Sequence, residues 1–353
     1  MKKLDIYKNI KVVVTGSTGF KGSWLCFFLN MLNAKVVGIA LKPEKDSIIF
    51  KKLKLEKKIK QIYLDINNFN NLNKIIKKEK PDIIFHLAAQ SIVSQSYLQP
   101  IQTFKTNIIG SANILEVVRL NKIKNLVYIT SDKCYLNDNR STAYHENDIL
   151  GGEDPYSGSK ASAEIIFQSY FKSYFNLNKK LRFASTRAGN VIGGGDMKKD
   201  RIVPDVIKSL QNKTKLVIRN PKATRPWQHV LEPLSGYLTL GSLLIDQKLS
   251  RNVQPNWNFG PSTSNCKTVL QVVQKIIYLW GTKKKFSITR NFKFKEAKLL
   301  MLSSKKAKKE LNWSHKLSFD ETIEMTVDWY KSLFYNEGIE EITLNQIEYY
   351  LSK

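Results

Sequence analysis

The sequence predicts an α/β fold in which a parallel sheet is covered by helices on both faces, the doubly wound arrangement. Three observations predict it. Near-continuous apolar runs recur along the first half of the chain, helical stretches separate them, and a glycine-rich turn joins the first run to the first helix. Fully apolar strands are typical of parallel sheets buried on both faces, and regular alternation with helices produces such sheets.

The first half contains five predicted strands, each a short run rich in β-branched or aromatic residues. In chain order they are NIKVVVTG, AKVVGIAL, KIKQIYLDI, PDIIFHLAA and NLVYITSDKCY. Apolar residues at helical spacing predict helices in GFKGSWLCFFLNMLNA, NFNNLNKIIKKEK and TNIIGSANILEVVRLNKI. A further helix is predicted in PYSGSKASAEIIFQSYF, and a sixth strand ends before TRAGNVIGGGD.

After about residue 186 the alternation weakens, and glycine, proline and tryptophan become frequent. At 353 residues the chain exceeds what one hydrophobic core usually covers. We therefore expect residues 1–186 to form the sheet domain and residues 187–353 to form mainly a smaller lobe. A segment near 227–250 is expected to return to the sheet domain.

The net charge of +27 raises the question of a polyanionic partner. The lysines are dispersed, without interleaved aromatic residues or a nucleic-acid motif, so we interpret them as a solvated surface and expect no nucleic-acid partner. No apolar run approaches the roughly 18 residues that a membrane span requires, and the start lacks a signal-like apolar core. Cys26, Cys134 and Cys266 lack metal-type spacing, so we expect no metal site and a cytoplasmic location.

The first strand-to-helix turn, TGSTGFKG, carries glycines at positions 16, 19 and 22. Glycines permit a tight turn there and let the N-terminus of the helix approach a diphosphate, which free N–H groups and the helix dipole stabilise. The turn therefore predicts a dinucleotide site.

The second strand lacks the carboxylate that usually receives the ribose hydroxyls of NAD. Ala40, Leu41 and Lys42 stand where that acid is expected, so the residues alone do not choose between NAD and NADP. Asp65, at the end of the third strand, is placed either to meet the adenine end of the cofactor or to cap the following helix.

A serine, a tyrosine and a lysine have the spacing of a site that removes hydride from an alcohol. Tyr156 and Lys160 are four residues apart on a predicted helix and share one face. The ammonium of Lys160 is expected to lower the pKa of the Tyr156 phenol, which is otherwise a poor base. Ser131, at the carboxyl end of the fifth strand, is expected to hydrogen-bond the same substrate hydroxyl.

This combination of TGxxGxxG, serine and YxxxK resembles the extended short-chain dehydrogenase/reductases, the Rossmann-type NAD-dependent epimerase/dehydratase family. Longer stretches, such as IFHLAAQSIVSQSY, LGGEDPYSGSKASAE and IRNPKATRPWQHVLEPLSGYL, are similar to the CDP-glucose 4,6-dehydratase branch of that family. The resemblance implies NAD as cofactor, the nucleotide sugar CDP-glucose as substrate and a homo-oligomer, a dimer or larger, in which the helix carrying Tyr156 packs against its copy.

The resemblance also implies an internal redox cycle: hydride leaves carbon 4 of glucose, water is eliminated across carbons 5 and 6, and the hydride returns to carbon 6. Elimination requires an acid and a base. Asp132 is our candidate acid. Lys133 stands where related dTDP-glucose dehydratases carry a glutamate base, and two roles stay open for it, the base at carbon 5 or a group that orients substrate or cofactor.

Further residues are expected at the two ligands. Planar arginine side chains suit bidentate phosphate binding, and the glycines at 193–195 are expected to let backbone approach a ligand. The expected cofactor-binding residues are Gly16, Thr18, Gly19, Phe20, Gly22, Asp65, Ile66, Ala88, Ala89, Gln90, Asn107, Tyr156 and Lys160. The expected substrate-binding residues are Arg187, Asn190, Arg201, Arg219 and Arg225, of which Asn190 and Arg225 are favoured by the resemblance.

Other functions remain open from the sequence. One class comprises other nucleotide-sugar 4,6-dehydratases and 4-epimerases; a second comprises non-catalytic dinucleotide-binding or nucleic-acid-binding proteins. An epimerase needs no acid and base for elimination, so Asp132 and Lys133 favour dehydration. The missing carboxylate on the second strand predicts loose NAD binding, so that activity rises when NAD is added.

Overall fold

The computed structural model describes residues 4–178, 180–249, 254–289 and 300–353. Within them the strands are β1 (Lys11–Thr15), β2 (Lys35–Ala40), β3 (Lys60–Tyr63), β4 (Ile83–His86), β5 (Asn125–Ile129), β6 (Arg182–Ala188), β7 (Val191–Ile192), β8 (Leu216–Ile218), β9 (Thr224–Pro226), β10 (Gln228–His229), β11 (Asn256–Phe259), β12 (Cys266–Thr268) and β13 (Phe286–Ile288). The helices are α1 (Phe20–Met31), α2 (Ile48–Lys52), α3 (Leu55–Lys58), α4 (Phe69–Glu79), α5 (Val93–Leu98), α6 (Pro100–Phe104), α7 (Ser111–Leu120), α8 (Pro155–Tyr170), α9 (Ile202–Gln211), α10 (Leu231–Ile245), α11 (Val269–Trp280), α12 (Lys305–Leu311), α13 (Phe319–Phe334) and α14 (Ile339–Ser352).

Seven of these strands form one parallel sheet in the order β11-β6-β5-β4-β1-β2-β3. The chain moves outward from β1 through β2 to β3 and then returns to place β4 on the other side of β1, so the strand order reverses between β1 and β4. In such sheets ligands bind outside the carboxyl ends of the strands at this reversal. The predicted doubly wound parallel sheet is confirmed.

Both faces of the sheet are buried, as the continuous apolar strands predict. Val12 and Val14 of β1 pack on one side in a cluster that includes Trp24 and Phe28 of α1. Val13, between them, points into a second cluster formed with α4, α7 and α8. Successive strand residues point to opposite faces, so one apolar strand serves two cores.

The observed strands differ from the predicted ones at two places. The fifth strand ends at Ile129, short of the predicted NLVYITSDKCY, because the Ser131 side chain accepts the N–H of Lys133 and starts a 3₁₀ turn over Asp132–Cys134. The seventh strand, β11, lies beyond the point where the alternation weakens and was not predicted.

The second half of the chain contributes both to the large sheet region and to structure outside it. Helix α10 packs against β5 and β6, and short two-stranded pieces (β7 with β10, β8 with β13, β9 with β12) lie outside the large sheet. The division into two units near residue 186 stays a prediction. None of the described helices is both long and apolar enough to cross a membrane.

Candidate active site

The carboxyl ends of the central strands open into a cleft of about 870 Å³. One wall comes from the turns after β1 to β6, and the other comes from the segment around α9 and β9. This is where the strand order predicts a ligand.

The glycine turn after β1 is closed tightly enough to exclude larger residues. Gly16 has a φ of +75°, and a Cβ there would lie 2.8 Å from the backbone nitrogen of Ala88. A Cβ on Gly22 would lie 2.0 Å from the carbonyl oxygen of Gly16. The turn thus brings the first N–H groups of α1 to the cleft, an arrangement that fits the diphosphate of a dinucleotide.

Most residues expected to bind the cofactor line this cleft. They are Gly16, Thr18, Gly19, Phe20, Gly22, Asp65, Ile66, Ala88, Ala89, Tyr156 and Lys160. Gln90 and Asn107 do not. Asn107 accepts the N–H of Gln90 at 2.8 Å and donates to the Gln90 carbonyl and to Ser159 Oγ, each at 2.9 Å. Their amides therefore hold the loop after β4 against α8, and a contact of either residue with the cofactor stays a prediction.

The end of β2 is apolar and basic, as the sequence indicates. Ala40, Leu41 and Lys42 all line the cleft, and none supplies a carboxylate. Asp65 also lines it, and its Oδ1 accepts hydrogen bonds of 2.9 Å from the backbone and side-chain nitrogens of Asn67. Asp65 therefore stabilises its own turn while facing the cleft.

Ser131 and Asp132 form a hydrogen-bonded pair in the turn after β5. Ser131 Oγ donates to Asp132 Oδ1 at 2.8 Å, and both side chains are buried. Burial raises the pKa of the Asp132 carboxyl, against opposing effects of Lys133 and Ser131. The protonated form is thus favoured compared with an exposed aspartate, as a proton donor requires.

Tyr156 and Lys160 project from the first two turns of α8. The Asp154 carboxylate caps this helix by accepting the N–H groups of Tyr156 and Ser157 at 3.0 Å each. The Lys160 ammonium lies 6.0 Å from the centre of the Tyr156 ring. Burial raises the pKa of Tyr156 to about 12 and lowers that of Lys160 to about 8. The expected lowering of the phenol pKa by Lys160 is not found: desolvation by burial outweighs the lowering caused by the Ser131 hydrogen bond and the charge of Arg201.

Lys21 is a cleft residue that the sequence reasoning missed. It lies in the first turn of α1, and burial together with Arg201 lowers its pKa to about 8. The sequence signal was a lysine between two glycines of the turn, TGFKG, at the start of the first helix.

Arg187 is not available to a ligand. It lies within β6 with its side chain fully buried, its NH2 donates to Glu164 at 2.8 Å, and its NH1 donates to Tyr135 Oη at 2.6 Å. Glu164 also accepts from Thr130 and Ser185. The expected phosphate contact is therefore contradicted: the ion pair ties β6 and α8 to the turn that carries Asp132.

The other expected substrate residues, Asn190, Arg201, Arg219 and Arg225, line the cleft. Arg201 pairs with Asp196 at 2.6 Å, and Arg219 pairs with Asp200 at 3.2 Å. The glycine loop 193–195 has two roles: Gly193 lines the cleft, as expected of backbone near a ligand, whereas Gly194 packs against the core. A Cβ on Gly194 would lie 2.0 Å from Cγ of Trp329, so glycine there makes room for a core tryptophan rather than for a ligand.

Known proteins with similar sequences are sugar-nucleotide enzymes. The family model described as GDP-mannose 4,6 dehydratase matches residues 13–326. The chain is 40% identical to the CDP-glucose 4,6-dehydratase of Salmonella typhimurium, over 99% of this chain and 98% of that one.

Solved structures share the fold at lower identity. The dTDP-glucose 4,6-dehydratase of Bacillus anthracis, in complex with NAD, has a TM-score of 0.74 at 23% identity and is matched over 92% of this chain and 97% of that one. The UDP-glucose 4-epimerase of Stenotrophomonas maltophila, with bound NAD, has a TM-score of 0.80 at 20% identity, over 93% and 100%. At these identities the two structures establish the common fold.

Proposed function

Because the chain belongs to the GDP-mannose 4,6-dehydratase family, we propose that it is a lyase that uses NAD to convert CDP-glucose to CDP-4-keto-6-deoxyglucose and water. The choice of CDP-glucose among nucleotide sugars is supported by the 40% identity, along nearly the whole chain, to an enzyme of that name. The observation that carries dehydration is Asp132, a buried carboxyl with a raised pKa beside the hydride-removal residues.

The residues of the chain divide the reaction into a redox part and an elimination part. Tyr156 takes the proton of the carbon 4 hydroxyl, helped by the Lys160 ammonium, while Ser131 holds the same oxygen. When bound, NAD accepts the hydride of carbon 4 and later returns it to carbon 6. The ketone at carbon 4 acidifies the proton on carbon 5, and Asp132 protonates the departing carbon 6 hydroxyl.

Lys133 is our proposed base at carbon 5. It lines the cleft next to Asp132. Lys133→Met is expected to reduce turnover about 10²-fold or more and to stop exchange of the carbon 5 proton with deuterated solvent, because no other group of the turn accepts that proton. Lys133→Glu is the matched variant and should restore exchange, since a carboxylate serves as base. Undiminished exchange in Lys133→Met would assign Lys133 to orienting the substrate instead.

The cofactor is expected to bind loosely, because β2 ends without an acid. Activity of cofactor-stripped protein should rise with added NAD. Leu41→Asp should tighten NAD binding about five- to tenfold, since a carboxylate at this position receives the ribose hydroxyls. Isothermal calorimetry with NAD measures the change, and Leu41→Asn, which lacks the charge, is the control. Activity already saturated without added NAD would contradict the prediction.

The substrate diphosphate is expected at Asn190, Arg201, Arg219 and Arg225, which line the cleft. The guanidinium groups of the three arginines suit bidentate contacts to phosphate oxygens. The existing ion pairs of Arg201 and Arg219 with aspartates keep these side chains oriented towards the cleft before substrate arrives.

We also propose a homodimer formed through α6 and α8, which pack against each other. Ile101 on α6 and Ile165 on α8 are 76% and 57% exposed, and Ile109 beside them is 54% exposed. Covering these side chains with a second copy would remove apolar surface from water. Ile165→Glu should yield monomers in light scattering. Ile288 is an exposed isoleucine on β13, outside the proposed interface, so Ile288→Glu should leave the dimer intact. An unchanged mass for Ile165→Glu would exclude this interface.

The location is proposed to be the cytoplasm. Cys26, Cys134 and Cys266 are free thiols, which supports a reducing compartment.

A panel of sugar nucleotides tests the proposed function. Purified protein is incubated with CDP-, dTDP-, UDP- and GDP-glucose, each with and without NAD, and the masses of the products are measured by mass spectrometry. We expect loss of one water from CDP-glucose without net reduced cofactor. If another sugar nucleotide loses water or epimerises instead, the protein is a 4,6-dehydratase or a 4-epimerase of that sugar nucleotide. A salt-dependent shift of DNA without any turnover would favour the binding-only alternative.

A further inference from the structure

Lys21 is a cleft residue to which the proposed mechanism gives no role. It lies one residue before Gly22, in the same cleft wall as Asp132 and Tyr156. Its ammonium forms no hydrogen bond or ion pair with a side chain or carbonyl among the described residues. An unpaired cation in a partly desolvated site costs free energy, which points to a ligand or reaction step that benefits from its charge.

Three other cations of the cleft, Lys198, Arg201 and Arg219, are each paired with a carboxylate. Arg201 pairs with Asp196 at 2.6 Å, Arg219 with Asp200 at 3.2 Å, and Lys198 with Glu44 at 2.5 Å. These pairs lie on the side of the cleft formed by residues 196–219. Their charges are largely neutralised locally.

Around the catalytic residues the unpaired side-chain charges are mainly positive. Lys21, Lys133 and Lys160 have no ion pair within the described residues, and Asp132 lines the same cleft. The positive charge of Lys21 acts on Lys160 and on Asp132. It lowers the pKa of Lys160 and opposes the rise that burial causes in the pKa of Asp132. Lys21 comes from α1 and Lys160 from α8, so two helices contribute positive charge to this cleft.

We propose that Lys21 sets the relative affinity of the cleft for the two redox forms of the nicotinamide cofactor by disfavouring the oxidised form. This inference rests on the proposed function. The oxidised ring carries one positive charge; it loses that charge when it gains a hydride, with two electrons, from substrate carbon 4, whose hydroxyl proton passes to Tyr156. A fixed cation nearby therefore repels the oxidised ring and not the reduced one. The oxidation of carbon 4 becomes less unfavourable as a result.

The main competing role for Lys21 is a contact to the cofactor diphosphate. The diphosphate is the same in both redox forms, so loss of such a contact weakens both equally. The missing carboxylate at the end of β2 likewise affects both forms, since it concerns the adenosine ribose. Only a charge near the ring changes the ratio of the two affinities.

The test is the pair of dissociation constants for NAD⁺ and NADH, measured on cofactor-stripped protein at about pH 7 by calorimetry and by NADH fluorescence. In Lys21→Met the ratio of the NAD⁺ constant to the NADH constant should fall about five- to tenfold, the size expected for one unit charge across several ångströms of protein. A tenfold change corresponds to about 30 mV for this two-electron couple. Lys21→Arg should preserve the ratio. Lys42→Met, which removes a lysine at the other end of the cleft, should also preserve it.

Equal changes in both constants, or an unchanged ratio in Lys21→Met, would overturn the inference. Cooperative thermal unfolding is required of each variant, and Lys21→Gln replaces Lys21→Met if the latter does not fold. Failure of the native protein to bind either form would instead refute the proposed function.

Discussion

Tyr156→Phe is expected to reduce kcat/KM for CDP-glucose by about 10²- to 10⁴-fold, the usual contribution of a positioned acid–base group. The Tyr156 phenolate takes the proton of the carbon 4 hydroxyl, and without that transfer no ketone forms and no later step begins. Phenylalanine retains the ring, which packs at the start of α8 where Asp154 caps the helix. Thermal stability and NADH affinity should therefore change little.

The control for Tyr156→Phe is Tyr63→Phe, which removes a hydroxyl that bonds Glu56 at the surface. Its turnover should match that of the native protein. Both variants are compared by the rate of product formation and, in a single turnover, by the rate of cofactor reduction. A Tyr156→Phe protein that reduces its cofactor at the native rate would remove Tyr156 from the redox step.

Asp132→Asn is expected to separate the two halves of the reaction. Asparagine still accepts the hydrogen bond that Ser131 donates to Oδ1, so the turn is retained. It has no proton to give to the carbon 6 hydroxyl, and product formation should fall by about 10²- to 10⁴-fold. Oxidation at carbon 4 does not need this acid. Reduced cofactor should therefore accumulate to nearly one equivalent per site after mixing with CDP-glucose, which absorbance measures.

The matched control is Asp82→Asn. Asp82 is an exposed residue just before β4, at the amino ends of the strands, whereas the cleft lies at their carboxyl ends. This variant should neither lose turnover nor accumulate reduced cofactor. If Asp132→Asn loses product formation and cofactor reduction to the same extent, Asp132 acts in the first step and the assignment as acid for elimination is wrong.

Most of the sheet was predictable because its central strands are mainly apolar. Runs such as KVVVT and IIFH carry that signal without help from the rest of the chain. The strand β11, NWNF, pairs with β6 although it alternates polar and aromatic residues. The side-chain amides of its two asparagines donate to the backbone carbonyls of Glu146 and Tyr144, distant residues that no local pattern reveals.

The candidate site was predictable where spacing determines geometry. Tyr156 and Lys160 share a helix face, and the glycines of the first turn leave room only for backbone. Arg187 was misassigned because β6 extends through Ala188 and encloses its side chain with Glu164. Which buried carboxylate meets a given arginine depends on the packing of α8 on the sheet. Lys21 was missed because glycine spacing says nothing about where the side chain between the glycines points.

The measurement that tests the account most directly follows the hydrogen of carbon 4. CDP-glucose carrying deuterium at carbon 4 is incubated with the protein and NAD, and the product is examined by mass spectrometry and NMR. We predict a 4-keto-6-deoxy sugar that has lost one water and carries the deuterium at carbon 6, with no net reduced cofactor. Deuterium that stays at carbon 4, or passes into solvent or free cofactor, would contradict an internal hydride return.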